Sequence, residues 1–337
     1  MINNQEENIL NTLKERVRSR PKSIVFPEGE DLRVMIAVSM LNRDNLIKKA
    51  VLIGNKGKII ENARSTSTDM DCIDIIDIEN DKVDRKYRDA YQKARNLSVL
   101  EGERLDEAMM DPVIVGALIL SLGEVEGFIG GLQTITADIL STGIQIIKAD
   151  RRIGVVTSLC LIQTEDKSIG EDGFFLIADP IVNRDPSVGV LCKIAEASAR
   201  FAREFLKIKP RIAFLSYSTR GSGIGKSVDK MRIASERSKT YMPELIIDGE
   251  LQFDAAVMPD IARIKAPDSP LEGRANILVF PNLNAANIGS KLIRIFGKAK
   301  LIGPIIYGLN KPYNDISRGA DESDVYDLAI ITQLQHK

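Results

Sequence analysis

Ser317 and Arg318 stand together on a turn that ends at Gly319, and Asp324 follows seven residues after the serine, in the first turn of a predicted helix. A hydroxyl donor, a guanidinium and a carboxylate held this close suit the transfer of an acyl group onto or off an anion. Arginine grips a phosphate or a carbonyl oxygen through a planar fork. A carboxylate can take a proton from the attacking group. The same residues also suit plainer duties. Asp321, Glu322 and Asp324 are acids of the kind the helix dipole favours at a helix start, and Ser317 and Arg318 are ordinary turn residues. Asn314, which opens the segment Asn314-Asp315-Ile316-Ser317-Arg318-Gly319, is counted among the substrate contacts.

Two glycine-rich segments follow predicted strands and precede helices, the places where a backbone can approach an anion closely. In Gly130-Gly131-Leu132-Gln133-Thr134-Ile135-Thr136, the glycines permit that approach, and Thr136 is placed to cap the helix or to donate to the anion. A tight turn with a helix cap explains it nearly as well. The other segment is Ser218-Thr219-Arg220-Gly221-Ser222-Gly223-Ile224-Gly225-Lys226-Ser227, read as a substrate-facing loop through Ser218, Thr219, Gly221 and Ser222. Its end imitates a nucleotide phosphate loop, but the first glycine that motif requires falls on Arg220. A flexible surface loop is the bland alternative. Arg95, at the end of a charged helix, reads by itself as a solvated arginine.

These residues must be positioned by strands and helices in alternation. Apolar, β-rich runs lie at 23–26, 50–53, 72–78, 127–130, 153–162, 174–178, 211–216, 276–280 and 301–306. Helical periodicity covers 31–41, 84–95, 106–121, 137–148, 187–205, 227–238 and 284–296. Continuous apolar strands between helices predict an α/β fold with parallel sheets covered on both faces. In such sheets function sits on the loops after strands. The chain has 337 residues and 44% hydrophobic content, enough for two cores. The polar break at 148–152 marks a domain crossing, with 1–151 plus 305–337 in one domain and 152–304 in the other.

Composition excludes several chemistries. Lys and Arg number 46 against 47 Asp and Glu, so no global charge points to nucleic acid or a membrane surface. The apolar stretches are too short to span a bilayer, and the polar start, residues 1–7, is not a signal peptide. Cys72, Cys160 and Cys192 are far apart, consistent with buried free thiols in a cytoplasmic protein. The single histidine, His336, is penultimate, so a His/Cys metal site and a Ser-His-Asp triad are both excluded. No permanent cofactor and no metal are expected.

From about residue 23 to 335 the chain resembles the phosphate acetyltransferases (phosphotransacetylases) of the short, catalytic-domain-only type. The resemblance rests on Ile24-Val25-Phe26-Pro27-Glu28-Gly29, Asp111-Pro112, Thr136-Ala137-Asp138, Gln145-Ile146-Ile147-Lys148, Asp248-Gly249-Glu250-Leu251-Gln252-Phe253-Asp254-Ala255-Ala256, Lys265-Ala266-Pro267-Asp268-Ser269, Gly289, Gly303-Pro304, and Lys311-Pro312 running into Asn314 to Gly319. It implies two α/β domains of the isocitrate-dehydrogenase-like kind with the active site in the cleft between them, a homodimer, and the reaction acetyl-CoA + phosphate ⇌ acetyl phosphate + CoA. It also implies that Ser317 and Arg318 are the active-site Ser-Arg pair, that Asp324 is the base, and that Arg95 is an active-site arginine. The chain departs from the family at Ser141, where an arginine is usual, at residues 96–99, at Ser290 and at Tyr307. Those departures bear on acyl-group choice and CoA affinity.

With no cysteine or histidine relay, the expected mechanism is direct transfer in a ternary complex. A thiol near pKa 8.5 and an aspartate near 3.9 leave proton transfer uphill by roughly 4–5 units, about 6 kcal/mol. Partial burial of the acid and a cation beside the thiol narrow that gap. The alternatives are a propionyl or butyryl phosphate acyltransferase, a catalytically weak binding protein of the same fold, and, from the loop at 218–227, a nucleotide binder.

Overall fold

The structure is a computed structural model and describes residues 9–80, 84–95 and 102–336. The chain divides into two compact units, Met1–Ala149 with Leu309–Lys337, and Asp150–Gly308. The inserted unit is slightly longer at both ends than the expected 152–304. Its strands and those of the first unit are, in chain order, β1 (Ser23–Phe26), β2 (Lys49–Ile53), β3 (Ile73–Ile76), β4 (Gly127–Gly130), β5 (Thr157–Gln163), β6 (Phe174–Ala178), β7 (Arg211–Leu215), β8 (Ile246–Leu251), β9 (Ile277–Val279), β10 (Lys300–Tyr307) and β11 (Tyr313–Asp315).

The first unit is built on a parallel sheet in the order β11-β4-β1-β2-β3. β1 and β4 are buried along their whole length, which is why they read as continuous apolar runs. Because β1, β4 and β11 are parallel neighbours, the loops after all three emerge at one edge. β11 was not foreseen: Tyr313-Asn314-Asp315 has no apolar run to announce it. The helix Glu322–Gln335 returns against β4 and the helices Ile9–Ser19 and Leu32–Arg43, burying Val325, Leu328, Ala329, Ile330 and Ile331. Each large aliphatic side chain so buried contributes about 1.5–3 kcal/mol relative to exposure. That packing fixes the start of the helix, where Asp324 lies.

Three expected helices are interrupted; the run 187–205 is the helix Val188–Phe201 followed by a π turn, Ala202–Leu206. The run 106–121 is two helices, Gly102–Met109 and Pro112–Leu122. Asp111 caps the second, accepting from Val113 N and Ile114 N, and Pro112 takes the first helical position, where its missing N–H costs nothing. The run 137–148 is the helix Thr136–Thr142 followed by a π turn, Gly143–Ile147. Gly143 is required there, because a Cβ would come within 2.7 Å of the Tyr313 ring.

The second unit carries a sheet in the order β10-β5-β6-β9-β7-β8. β6, β9, β7 and β8 are parallel, but β5 runs antiparallel to both β6 and β10. The link from β5 to β6, residues 164–173, holds no helix, so it cannot make the crossover that a parallel pair needs. Cys72, Cys160 and Cys192 are buried free thiols, and burial pushes Cys160 up to about 12. Among the described residues no helix is long and apolar enough to cross a membrane.

Candidate active site

The edge where β1, β4 and β11 end is organised by two buried carboxyls. Glu28 follows β1. Its Oε2 accepts from Gly131 N at 2.9 Å and Leu132 N at 2.7 Å, and its Oε1 from Gln133 N at 2.9 Å and Thr134 N at 2.8 Å. Four N–H bonds match the acceptor capacity of a carboxylate. The loop after β4 is therefore an anion cradle, and the anion it holds is Glu28. Gly131 N is thereby spent on Glu28, whereas Gly130 contributes no N–H to this cradle. Gly131 is needed for a different reason: φ is +118° and a Cβ would lie 2.3 Å from Asp315 Oδ1.

Asp315, the second carboxyl, ends β11 and is 1% exposed. Its Oδ2 accepts from the Thr136 hydroxyl at 2.8 Å, while its Oδ1 is buried with no hydrogen-bond partner. Burial pushes the carboxyl up to about 7; the Thr136 bond opposes the shift and the charge of Glu28 adds to it. Thr136 is not the helix cap expected: the capping position is Ile135, and the Thr136 hydroxyl is turned to Asp315. The sign of the linkage follows from a raised carboxyl. Its stabilising contribution is complete below the ordinary value of 3.8 and is lost as pH rises through 7. Asp315→Asn is expected to flatten that decline, whose upper bound is on the order of 4 kcal/mol. Denaturant unfolding of both proteins between pH 4 and pH 8, a window set by those two values, checks it; parallel pH profiles would contradict it.

Two residues beyond Asp315, Ser317 and Arg318 are exposed. Ile316 N donates to Gly130 O at 2.8 Å and Ala320 N to Ser317 O at 2.9 Å, which fixes the turn. Ser317 Oγ accepts from Gly319 N at 3.3 Å. Arg33, not foreseen as a site residue, clamps the turn from the helix Leu32–Arg43. Its Nη1 donates to Arg318 O at 2.9 Å and Ala320 O at 2.8 Å, its Nη2 to Leu132 O at 3.3 Å, and its Nε and Nη2 to Asp31. Arg33 thus ties the loop after β4 to the turn after β11. Among the described residues the Arg318 guanidinium has no ion-pair partner, so its fork is available to a ligand.

Asn314, by contrast, is fully buried. Its Nδ2 donates to Thr332 Oγ1 at 2.8 Å and Gln335 Oε1 at 2.7 Å, so it anchors the C-terminal helix and has no face for a substrate. Asp324 is half-buried at the start of that helix. It closes a reciprocal cap: Asp324 N donates to Asp321 Oδ1 at 2.9 Å and Asp321 N to Asp324 Oδ2 at 3.1 Å. The contacts are those of a helix-start acid; a chemical role has to be added to them.

Arg95 ends the helix Arg85–Arg95 and donates from Nη1 to Gln145 Oε1, while Gln145 Nε2 donates to Ser141 Oγ at 2.9 Å. Gln145 therefore bridges Arg95 to position 141, where the family usually has an arginine. Ser141 lies on the same helix as Thr136, about 7.5 Å along it at 1.5 Å per residue. The departing stretch 96–99 lies outside the described residues.

In the second unit the loop at 218–223 is closed on its own strand neighbours. Ser218 Oγ and Gly221 N donate to Glu250 Oε1 at 3.1 and 2.7 Å, and Gly223 N donates to Ser218 Oγ at 2.9 Å. Thr219 Oγ1 accepts from Gln252 N at 2.9 Å, and Thr219 N donates to Ser222 Oγ at 3.0 Å. Arg220 Nη2 and Lys239 Nζ both pair with the buried Asp248, each at 2.7 Å. These bonds among Ser218, Thr219, Gly221 and Ser222 and the neighbouring strand hold the loop in shape. Ser290 and Tyr307 are buried in this unit, Ser290 donating to Asn287 O and Tyr307 packing on Phe201 and Phe205. Those two departures are core exchanges.

An exposed Ser-Arg pair on a clamped turn, at the carboxyl edge of a parallel sheet, is an anion-handling arrangement. The chain belongs to the phosphate acetyl/butaryl transferase family, which it matches over residues 8–333. It is 38% identical over 328 residues to the phosphate acetyltransferase of Thermoanaerobacterium thermosaccharolyticum, covering 97% of this chain and 99% of that protein. It is 37% identical over 327 residues to that of Clostridium acetobutylicum, covering 97% and 98%. The crystal structure of a phosphotransacetylase from Streptococcus pyogenes superposes with a TM-score of 0.87 at 36% identity, covering 97% of this chain and 98% of that one.

Proposed function

We propose that this chain is a phosphate acetyltransferase that interconverts acetyl-CoA and phosphate with acetyl phosphate and CoA by direct transfer. The observation that carries the reading is the Arg318 guanidinium, exposed and unpaired beside Ser317 on a turn fixed by Arg33, in a chain that matches the family nearly end to end. In the acetyl phosphate direction, Asp324 takes the CoA thiol proton. The sulfur attacks the acetyl carbon, and the bond from that carbon to the phosphate oxygen breaks. Phosphate leaves with the electron pair, held by Arg318 and Arg95. Ser317 donates to the oxyanion that develops on the carbonyl oxygen. Holding both substrates in line supplies much of the rate. No step is assigned to a metal or a nucleotide.

The acyl group is acetyl in this reading, which rests on the match to phosphate acetyltransferases; among the described residues Ser290 and Tyr307 are buried and Ser141 is the exposed departure. The test is thioester formation from CoA with acetyl, propionyl and butyryl phosphate, in the presence of a chelator. Acetyl phosphate should give the highest kcat/KM. A larger value with butyryl phosphate reassigns the acyl group, and no thioester with any of the three removes the function. The protein is further proposed to be cytoplasmic and to work as a homodimer. The helix Leu283–Phe296 leaves Ile288, Leu292, Ile295 and Phe296 exposed at helical spacing, an apolar stripe that a second copy would cover.

Ser141→Arg should restore a second cation next to Arg95. We expect KM for acetyl phosphate or CoA to fall by about tenfold, as one charge-assisted contact of about 1.5 kcal/mol allows, with no comparable change in stability. Unchanged KM for both substrates means position 141 does not face them.

A further inference from the structure

We propose that Asp315 and Thr136 form a proton-switched pair in which Asp315 sets the direction of the Thr136 hydroxyl, so that Thr136 donates to the phosphate of the substrate only when Asp315 is protonated. The inference rests on the reading that phosphate binds at the Ser317–Arg318 turn, and it adds a donor and its control to that site.

Of the two buried carboxyls at this edge, Asp315 is the one that the fold leaves half satisfied. Glu28 accepts four backbone N–H bonds, whereas Asp315 accepts one hydroxyl and keeps Oδ1 buried without a partner. A buried ion in that state is costly, and a neutral acid costs far less. The groups facing it discourage ionisation further. Glu28 presents a negative charge from the loop after β1. Gly131 closes over Oδ1 from the loop after β4, leaving no room for a donor side chain. On its own strand, Tyr313 commits its phenol to Ile139 O at 2.9 Å. Among the described residues no cation bears on the carboxyl, and its pKa of about 7 places the change of state near neutral pH.

The hydroxyl converts that state into ligand affinity. Thr136 is half-buried, with one side against Asp315 and the rest of the residue reaching solvent. A hydroxyl has one proton and two lone pairs. When Asp315 is ionised, Thr136 gives its proton inward and shows only lone pairs to an incoming phosphate. When Asp315 takes a proton from solvent, the acid donates to Thr136 Oγ1 and the threonine proton turns outward. Asp315 also precedes Ser317 by two residues, and Ile316 N is locked to Gly130 O, so Thr136 and the Ser-Arg turn are held by the same strand end. Asp315 acts through Thr136 and is a positioning residue.

The test is calorimetric binding of inorganic phosphate at several pH values across neutrality, with wild type, Asp315→Asn, Thr136→Val and Thr136→Ser. Phosphate's own ionisation is common to all four, so the differences between proteins are read. Wild type should lose affinity with rising pH by about tenfold more than Asp315→Asn, which keeps a neutral partner behind Thr136. Thr136→Val should bind about tenfold more weakly at low pH and lose the excess pH dependence, and Thr136→Ser should restore both. The inference is overturned if the excess pH dependence persists in Asp315→Asn and Thr136→Val, or if wild type does not bind phosphate. Phosphate binding that follows this pattern in a protein without thioester-forming activity upholds the pair and sinks the acetyltransferase reading instead.

Discussion

Asp324→Asn is expected to lower kcat by on the order of 10²–10⁴-fold while the protein remains folded. The asparagine keeps the reciprocal cap, since its amide oxygen can still accept from Asp321 N and its backbone N–H still donates to Asp321 Oδ1. What it cannot do is take a proton from a thiol at neutral pH. The residual rate should climb with pH, because spontaneous thiol ionisation then substitutes for the lost base. If Asp324 is only the cap that its contacts describe, the change costs about 0.3–1 kcal/mol of stability and leaves turnover intact. Steady-state kinetics from mildly acidic to mildly alkaline pH, paired with an unfolding curve, separate the two. A folded variant with near wild-type kcat throughout would assign Asp324 to the helix alone.

Arg318→Lys is expected to reduce kcat/KM by about 10- to 100-fold, the loss that follows when charge-assisted bonds worth about 1.5–3 kcal/mol are removed. Lysine keeps the charge but not the planar fork. The turn should survive, because Arg33 holds it through the carbonyls of Arg318 and Ala320 and not through the Arg318 side chain. A drop in activity can then be read as lost substrate contact. Near wild-type kcat/KM in the lysine variant would take Arg318 out of the active site.

Much of this arrangement is legible in the sequence because its signals are local. The apolar runs of β1, β4 and β7, and the turn ending at Gly319, announce themselves within a few residues. What the sequence hides depends on distant partners. β8 carries Asp248, Gly249 and Glu250 in its middle and does not read as a buried strand; it becomes one because Arg220 and Lys239 neutralise Asp248 and the loop at 218–223 caps Glu250. Both glycine-rich loops do cradle a carboxylate, but in each case an internal one. Composition cannot say whether a ring of N–H groups faces a ligand or a glutamate on the neighbouring strand. Asn314 reads as a polar site residue beside Ser317, yet strand alternation turns it to the C-terminal helix. Arg33 and Asp315 stand in plain view in the sequence. Their importance appears only when the ends of β1, β4 and β11 are brought to one edge.

The central claim is direct transfer by a Ser-Arg-Asp set with no covalent acyl-enzyme. Isotope exchange between labelled CoA and acetyl-CoA tests it most directly, with and without phosphate. Direct transfer predicts no exchange until phosphate is supplied, since the acetyl group can leave sulfur only for a bound phosphate. Exchange in the absence of phosphate, at a rate comparable to turnover, would require an acyl-enzyme and contradict the account.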